Sequence, residues 1–162
     1  MSEPRWLSDT EREAWVQFAA VLELLPSALD SQLVHDEQLT HFEYFLLAML
    51  SEAEDRTLRM SELASRTNST LPRLSKVVNR LEAEGYVERM PCPTDRRATN
   101  AVMTDAGWAK IVAAAPGHVE NVRSLVFDQL TSEQVEQLSA ITHSLMKRLD
   151  PEGRMRVTGQ AR

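Results

Sequence analysis

Cysteine, glycine and long apolar runs are scarce in this sequence, and each shortage excludes a class of protein. The chain of 162 residues has a single cysteine, so it cannot form an intramolecular disulfide, which favours a reducing compartment. No apolar run is long enough to span a bilayer. The N-terminal sequence MSEPRWLSDTER is too charged for a secretory signal. These features predict a cytoplasmic protein that does not associate with a membrane.

Sequence motifs of the common enzyme classes are also missing. There is no G-x-S-x-G, no Cys/His pairing with local support and no glycine-rich phosphate loop, and glycine occurs only five times. No two of the four histidines, His35, His41, His118 and His143, have the i, i+4 spacing of a zinc pair. A site at His41 and His118 would require their approach in space, and the nearby Glu43 is already explained as a helix cap. We therefore expect no catalysis, no metal and no cofactor.

Helix-start signals recur along the chain. A Ser or Thr followed three residues later by Glu or Gln, the capping box, begins at three positions: Ser8, Thr40 and Thr131. Thr104 is a further N-cap, and shorter helices are predicted over about 60–67 and 71–84. Apolar residues at helical spacing follow these starts. The fold is therefore predicted to be mainly α.

Prolines and one hairpin interrupt this helical pattern. Pro26 is expected to kink the first helix, and Pro116-Gly117 to bend or break the helix that begins at Thr104. Strand signals are confined to a single hairpin over Tyr86–Met103. The strand content predicted from the sequence is thus one two-stranded hairpin.

The terminal helices carry apolar stripes that a small central lobe cannot fully cover. These stripes lie in residues 8–33 and 104–149. We expect the helices to cover one another, both within a subunit and across a two-fold axis, which predicts a homodimer. Residues 150–162 have the composition of a loose tail.

Residues 70–84 combine helix signals with a cationic stripe. Thr70 is an N-cap, and Pro72 lies in the first turn, where its missing N–H is not needed. The apolar face consists of residues at helical spacing: Leu74, Val77, Val78 and Leu81. Another face carries the cations with an amide beside them: Arg73, Lys76, Arg80 and Asn79. One side can pack on a core while the other meets phosphates and base edges.

The stripe is followed by a glycine stop at Gly85 and then by the hairpin, whose tip carries Arg96 and Arg97. Between positions 59 and 97 there are eight Lys and Arg against five Asp and Glu, a local charge of +3 in a chain of net charge −6. Duplex DNA binds such a local patch through counterion release, whatever the total charge. Stripe and tip together predict double-stranded DNA as the partner, although a stripe alone is more often a solvated helix surface.

Two segments resemble a known family. LASRTNSTLPRLSKVVNRLEAEGYVER followed by DRRATNAVMTDAG is similar to the MarR family of regulators, with its R-L-E-x-x-G, D-x-R and T-x-x-G motifs. The resemblance implies one domain over 1–162, with a winged helix-turn-helix lobe and a two-stranded β wing at 40–103. Dimerisation helices at 8–33 and 104–149 would flank this lobe. It also implies a homodimeric transcription factor, usually a repressor, whose DNA affinity falls when a small molecule or an oxidant binds.

The resemblance also assigns DNA contacts. The family's recognition helix corresponds to 70–84, which makes six residues contact candidates: Thr70, Arg73, Ser75, Lys76, Asn79 and Arg80. Arg73 is the best candidate for a bidentate contact with guanine. The wing motif places Asp95 at its acidic position, where it would orient basic groups, and Arg97 at the position that enters the minor groove. Arg96 is expected to contact phosphate.

Departures from the family pattern lie at the turn before the recognition helix and in the cysteine. Asn68-Ser69 replaces the common glycine and aliphatic residue, so sequence preference is expected to differ. Peroxide-sensing members use a cysteine in the first helix, whereas Cys92 lies at the base of the wing. Nearby arginines could lower its pKa, as a sensor thiol requires. The alternative is a small packing residue at a strand end, favoured by the lack of a resolving cysteine.

An effector pocket is expected between the DNA-binding lobe and the dimer helices. The aromatic and amphipathic residues on those elements are Trp15, Phe18, His41, Tyr44, Phe45 and Trp108. An aromatic acid or phenol is the effector that the resemblance implies. The same spacing is also typical of ordinary core residues.

Other interpretations of the same pattern remain open. The winged helix could bind a protein while the long helices only dimerise, or the regulator could lack an effector. Steep salt dependence of binding to random duplex would distinguish a DNA-binding protein from a protein-binding module.

Overall fold

Residues 3–155 are described by a computed structural model that is mainly helical. Its helices and strands follow one another along the chain: α1 (Asp9–Glu37), α2 (His41–Ser51), β1 (Thr57–Arg59), α3 (Met60–Arg66), α4 (Leu71–Ala83), β2 (Val87–Cys92), β3 (Asp95–Met103), α5 (Asp105–Leu125) and α6 (Ser132–Leu149). Short 3-10 turns, Glu54–Arg56 and Phe127–Gln129, precede β1 and α6. The order is that of a winged helix-turn-helix lobe placed between long terminal helices.

The predicted helix starts are confirmed. Both hydrogen bonds of the capping box form at Ser8, Thr40 and Thr131. The side chains of Thr70 and Thr104 accept hydrogen bonds from the backbone N–H groups three residues later, and so cap α4 and α5. These starts could be predicted because a cap involves residues only a few positions apart.

The long helices are more continuous than expected. Pro26 lies inside α1, which extends to Glu37, beyond the predicted end at residue 33. Gln38 ends this helix in the left-handed conformation with φ 55°. Pro116 likewise lies inside α5, which continues to Leu125, so of the predicted bend or break the break is excluded.

The two-stranded wing is formed by β2 and β3, but the sheet has a third strand, so the prediction that strands are confined to one hairpin is wrong. Strand β1 pairs antiparallel with β3, with Leu58 opposite Ala101, and the strand order is β1-β3-β2. Leu58 is buried, while its neighbours are half-buried. Three residues are too few to show a period of two, so β1 gave no signal in the sequence.

The wing is irregular at its tip. Strands β2 and β3 pair in regular register from Val87 opposite Met103 to Pro91 opposite Thr99, and then shift so that Cys92 lies opposite Asp95. The shift leaves residues 96–98 of β3 without a counterpart on β2. Such a bulge redirects side chains away from the sheet. Both tip arginines lie within this bulge.

The core lies between the sheet and helices α2 to α5. Its fully buried members come mainly from α2, α3, α4 and β2: Leu46, Leu47, Leu50, Leu63, Leu74, Val78, Leu81 and Val87. Helix α6, by contrast, has no buried residue. The apolar stripe of α6 is therefore not covered within one subunit.

The start of α5 is locked against the start of the wing. The hydroxyl of Thr104 accepts from the N–H of Gly107 at 3.0 Å and donates to the carbonyl of Gly85 at 2.7 Å. A Cβ on Gly107 would lie 2.2 Å from the carbonyl oxygen of Tyr86, so any side chain there would collide with the backbone. These contacts give both defined residues of the T-x-x-G motif, Thr104 and Gly107, a structural reason, whereas Gly85 is explained by its positive φ of 76°.

The segment predicted as a loose tail begins with an ordered turn. The carboxylate of Asp150 accepts hydrogen bonds from the backbone N–H groups of Arg154 and Met155, both at 2.9 Å. These hydrogen bonds lower the pKa of Asp150. The rest of the segment, residues 156–162, lies outside the described residues.

Candidate nucleic-acid interface

Helix α4 presents a polar face opposite its buried one. Leu74, Val78 and Leu81 are buried, because they pack on the core of the lobe. Five of the six predicted contact residues on α4 and its cap are exposed: Thr70, Arg73, Lys76, Asn79 and Arg80. Ser75 is only half-buried. The helix can therefore offer donors to a groove without disturbing its packing.

Arg89 joins the wing to α4, and sequence reasoning did not identify this role. Its guanidinium donates to the side chain of Asn79 at 2.6 Å, and to the carbonyl and hydroxyl oxygens of Ser75 at 2.9 and 3.0 Å. It also forms an ion pair with Glu82, whose carboxylate accepts from the backbone N–H of Arg89 at 3.0 Å. Two predicted DNA contacts, Ser75 and Asn79, are thus also partners of Arg89.

Arg80 lies apart from the rest of the predicted stripe. Its guanidinium forms an ion pair with Glu43 at 3.1 Å and donates to the carbonyl of Gln38 at 3.1 Å. Arg73, two turns earlier, places its guanidinium carbon 4.7 Å from the ring centroid of Phe42, a cation–π contact. Both arginines therefore contact the start of α2.

Asp95 organises the base of the wing tip. It accepts from the backbone N–H of Arg97 at 3.1 Å and from the guanidinium of Arg59 at 3.5 Å. Arg59 also donates to the hydroxyl of Thr94 at 3.3 Å. Arg96 and Arg97 are exposed. Arg59 was missed because it lies on β1, the strand that the sequence did not reveal.

The cleft between α4 and the wing is lined by several of these polar groups: Arg59, Ser75, Arg89, Asp95 and Arg97. The three arginines come from the three strands of the sheet, in which β3 lies between β1 and β2. The carboxylate of Asp95 beside Arg59 and that of Glu82 beside Arg89 offset part of this cationic lining. The arrangement suits a polyanion that contacts the helix and the wing together.

Cys92 occupies the environment of a packing residue. It is 6% exposed, and its sulfur lies 3.4 Å from the hydroxyl of Thr94. Hydrogen bonds with Thr94 lower the pKa of the Cys92 thiol, and the charge of Arg59 adds a smaller effect. The direction agrees with the prediction for a sensor thiol, but the causes differ from the wing arginines expected to produce it.

The predicted effector residues fall into separate contact groups. Trp15 and Phe18 contact each other on α1, with ring centroids 6.5 Å apart, and both are exposed. Trp108 is exposed and lies under the guanidinium of Arg56, 4.4 Å from its ring centroid. Phe45 is half-buried on α2.

The remaining two effector candidates, His41 and Tyr44, meet His118 of α5. The His118 ring lies 4.3 Å from the Tyr44 ring and 6.0 Å from the His41 ring, centroid to centroid. Burial lowers the pKa of both histidines and raises the pKa of Tyr44. Within residues 3–155 the buried atoms without a hydrogen-bond partner include three on α1 and α5: Gln32 Oε1, His118 Nδ1 and Asn121 Nδ2. The region between α1, α2 and α5 thus has unused hydrogen-bonding capacity.

The approach of His41 and His118 does not bring together three metal ligands within the described residues. Glu43, the third candidate ligand, is bound to Arg80 and to the backbone N–H of Thr40. Across the part of the chain that the structure describes, no three His, Cys, Asp or Glu side chains are grouped so that they could hold a metal ion. Over the same residues, no helix is both long and apolar enough to cross a bilayer.

Comparison with known proteins identifies relatives over most of the chain. Residues 38–98 match the model of the MarR family. The structure is similar to that of Sco3205, a MarR family transcriptional regulator from Streptomyces coelicolor in complex with DNA. The two share 42% identity and a TM-score of 0.87 over 93% of this chain and 94% of that one. AbsC, a MarR family regulator of the same organism, is 36% identical with a TM-score of 0.84, over 90% and 98% of the two chains.

Sequence similarity extends to a relative with a described regulatory role. The HTH-type transcriptional repressor YetL of Bacillus subtilis is 26% identical over 140 residues, which are 81% of this chain and 83% of that protein.

Replacing Arg89 by Ala should loosen the wing and destabilise the lobe. The change removes several charge-assisted hydrogen bonds and leaves Glu82 without its ion-pair partner, so we expect a loss of about 1–3 kcal/mol in the free energy of unfolding. Urea denaturation measures this loss. Glu88→Ala, an exposed change on the same strand, is the control and should shift the free energy by less than about 0.5 kcal/mol. An unchanged Arg89→Ala midpoint would mean that other contacts hold the wing.

Proposed function

Because the chain belongs to the MarR family, it is a DNA-binding transcriptional regulator and not an enzyme, and we propose that it acts as a homodimeric repressor. In this proposal the dimer binds a pseudo-palindromic operator in the cytoplasm, and a small molecule lowers its affinity for that operator.

The main support for this mode of DNA binding is that Arg89 of the wing bonds to α4 and so holds the two elements together. It gives one rigid unit with exposed cations at two places. We assign base and phosphate contacts in the major groove to residues of α4 and its cap: Thr70, Arg73, Ser75, Lys76 and Asn79. Arg97 is assigned to the minor groove and Arg96 to phosphate, with Asp95 holding the tip in position. We do not include Arg80, whose guanidinium contacts Glu43 and Gln38.

The repressor assignment rests on the relatives. YetL is named as a repressor, and Sco3205 was crystallised with DNA. A protein that covers a pseudo-palindrome with two winged lobes would also block access to the DNA beneath it. Repression is therefore favoured over activation.

The dimer assignment rests on apolar surface that one subunit leaves uncovered. Large apolar side chains on α1 and α6 are more than half exposed, among them Trp15 at 55%, Leu24 at 70%, Ile141 at 58% and Leu149 at 72%. Burying such surface against a second copy is favourable in proportion to its area. A two-fold axis would place two α4 helices in successive major grooves, about 34–36 Å apart.

The effector assignment rests on the region between α1, α2 and α5. His41, Tyr44 and His118 combine aromatic faces with polar atoms, and Gln32 Oε1 and Asn121 Nδ2 are buried atoms that lack hydrogen-bond partners within the described part of the chain. A small aromatic acid or phenol would match both features. The other predicted effector residues, Trp15, Phe18, Phe45 and Trp108, lie outside this group of rings and remain secondary candidates.

A salt series tests the proposed function against a protein-binding winged helix. Binding to a random-sequence duplex should weaken steeply as salt rises, with a log–log slope of about −0.9 for each phosphate neutralised. Fluorescence anisotropy over a range of salt concentrations measures the slope. Negligible affinity at low salt would favour the protein-binding alternative.

The two wing arginines should respond differently to substitution. Arg97→Ala is expected to weaken binding roughly tenfold at sites with A/T-rich flanks and less at G/C-rich flanks, because a narrow minor groove attracts a guanidinium most strongly. Arg96→Ala, the matched control at the neighbouring position, should weaken binding equally at both. Anisotropy on duplexes that differ only in their flanks measures the difference. If Arg97→Ala kept the wild-type flank preference, the wing would not read the minor groove.

Sedimentation equilibrium should show a two-subunit species at micromolar concentration. Ile141→Glu should shift this species toward monomer, because it places a charge in the apolar stripe of α6. Ser139→Glu adds the same charge about 200° away on the helix and is the matched control. A monodisperse wild-type monomer would remove the basis for palindrome binding.

A further inference from the structure

We propose that Arg80 is a positioning residue: it holds α4 at its DNA-reading angle through residues 38–43, the α1–α2 junction, and does not itself bind DNA. This inference rests on the proposed role of α4 as the DNA-reading helix. It changes the role that family resemblance gives to Arg80. It also assigns the junction a function in DNA binding, although the junction lies outside the helix-turn-helix.

The first support is the pair of contacts that Arg80 makes. One guanidinium nitrogen lies 3.1 Å from a carboxylate oxygen of Glu43, and the other donates to the carbonyl of Gln38 at 3.1 Å. The two acceptors belong to different elements, the start of α2 and the end of α1. One side chain of α4 therefore contacts both sides of the junction.

The second support is that Glu43 cannot easily release Arg80. Its side chain is only 3% exposed, although that of Arg80 is 53% exposed. The other carboxylate oxygen of Glu43 accepts from the backbone N–H of Thr40 at 2.8 Å, and the Thr40 hydroxyl accepts in return from Glu43 at 3.2 Å. If Arg80 turned toward a phosphate, a buried carboxylate would lose its countercharge, which is strongly unfavourable.

The third support is the rigidity of the junction. Gln38 ends α1 in the left-handed conformation, its N–H donates to carbonyls of α1, and its own carbonyl accepts from Arg80. On the other side, the backbone N–H of His41 donates to the carboxylate of Asp30 at 2.8 Å. These hydrogen bonds hold the junction to α1, so the junction can support α4.

A second arginine of α4 contacts the same α1–α2 junction. Arg73 stacks on Phe42, which lies between His41 and Glu43 in the first turn of α2. Arg73 and Arg80 are seven residues apart, which is two helical turns on one face. In the absence of DNA, contacts at both points define the tilt of α4 relative to the α1–α2 junction, and the Arg80 contact is the one that remains when Arg73 turns to DNA. Loss of the Arg80 contact would release the C-terminal half of α4 from the junction. The number of phosphate contacts would not change.

The test is a double-mutant cycle on DNA binding. Glu43→Gln removes the charge but keeps the capping box, because glutamine also serves at the third position. Arg80→Gln removes the guanidinium, and the double variant replaces a charged pair by a neutral one. The probe is a duplex selected by the wild-type protein from a random-sequence pool. Affinity is measured over a salt series, and circular dichroism confirms that each variant is folded.

We expect each single variant to bind about tenfold more weakly with an unchanged salt slope, since neither removes a phosphate contact. The double variant should bind no more weakly than the weaker single variant, because both changes break one interaction. Lys76→Gln is the control on the open face. It should reduce the slope by about one unit, and its loss should add to that of Glu43→Gln.

Two outcomes would overturn the inference while leaving the proposed function intact. The first is a slope reduced by about one unit in Arg80→Gln, with unchanged or tighter binding by Glu43→Gln. That result would make Arg80 a phosphate contact. The second is strict additivity of the two losses. Salt-independent or absent binding by the wild-type protein would instead refute the proposed function, and this inference with it.

Discussion

The interaction on which the DNA-binding arrangement depends is the set of bonds that Arg89 makes to α4. A wing is a two-stranded arm with few core residues beyond its base, so a contact near that base governs its angle to the helix. Arg89 meets two turns of α4 at once, through Ser75 and Asn79 and through Glu82. Because its guanidinium is planar and has several donors, one side chain can satisfy all of these acceptors.

The α1–α2 junction constrains the opposite side of the same helix. Arg89 binds α4 from the wing, whereas Arg80 binds it from Gln38 and Glu43. Between these polar contacts, the buried side chains of Leu74 and Val78 pack the helix on the core. Apolar packing is not directional, so the polar contacts orient the helix about its axis. Helix α4 is therefore held by apolar burial on one face and by guanidinium contacts at two of its flanks. Its remaining flank stays open for a ligand.

The junction also lies next to the aromatic cluster between α1, α2 and α5. His41 and Tyr44 face His118 from the same first turn of α2 that carries Phe42 and Glu43. A ligand that moved this turn would therefore change both the ring contacts with His118 and the contacts of Phe42 and Glu43 with α4. Because successive residues of a helix point in different directions, His41 and Tyr44 lie on one side of α2, and Phe42 and Glu43, which contact α4, lie on other sides.

Features that depend on neighbouring residues can be predicted from the sequence alone. The caps at Thr40 and Thr104 and the open face of α4 follow from local hydrogen bonds and helical period. Features that depend on residues far apart in the chain are visible only in the folded protein. Folding pairs β1 with β3, binds Arg80 to Glu43 and directs Arg59 to Asp95. Helical spacing reveals which residues share a face, but only packing reveals which side chain each face meets.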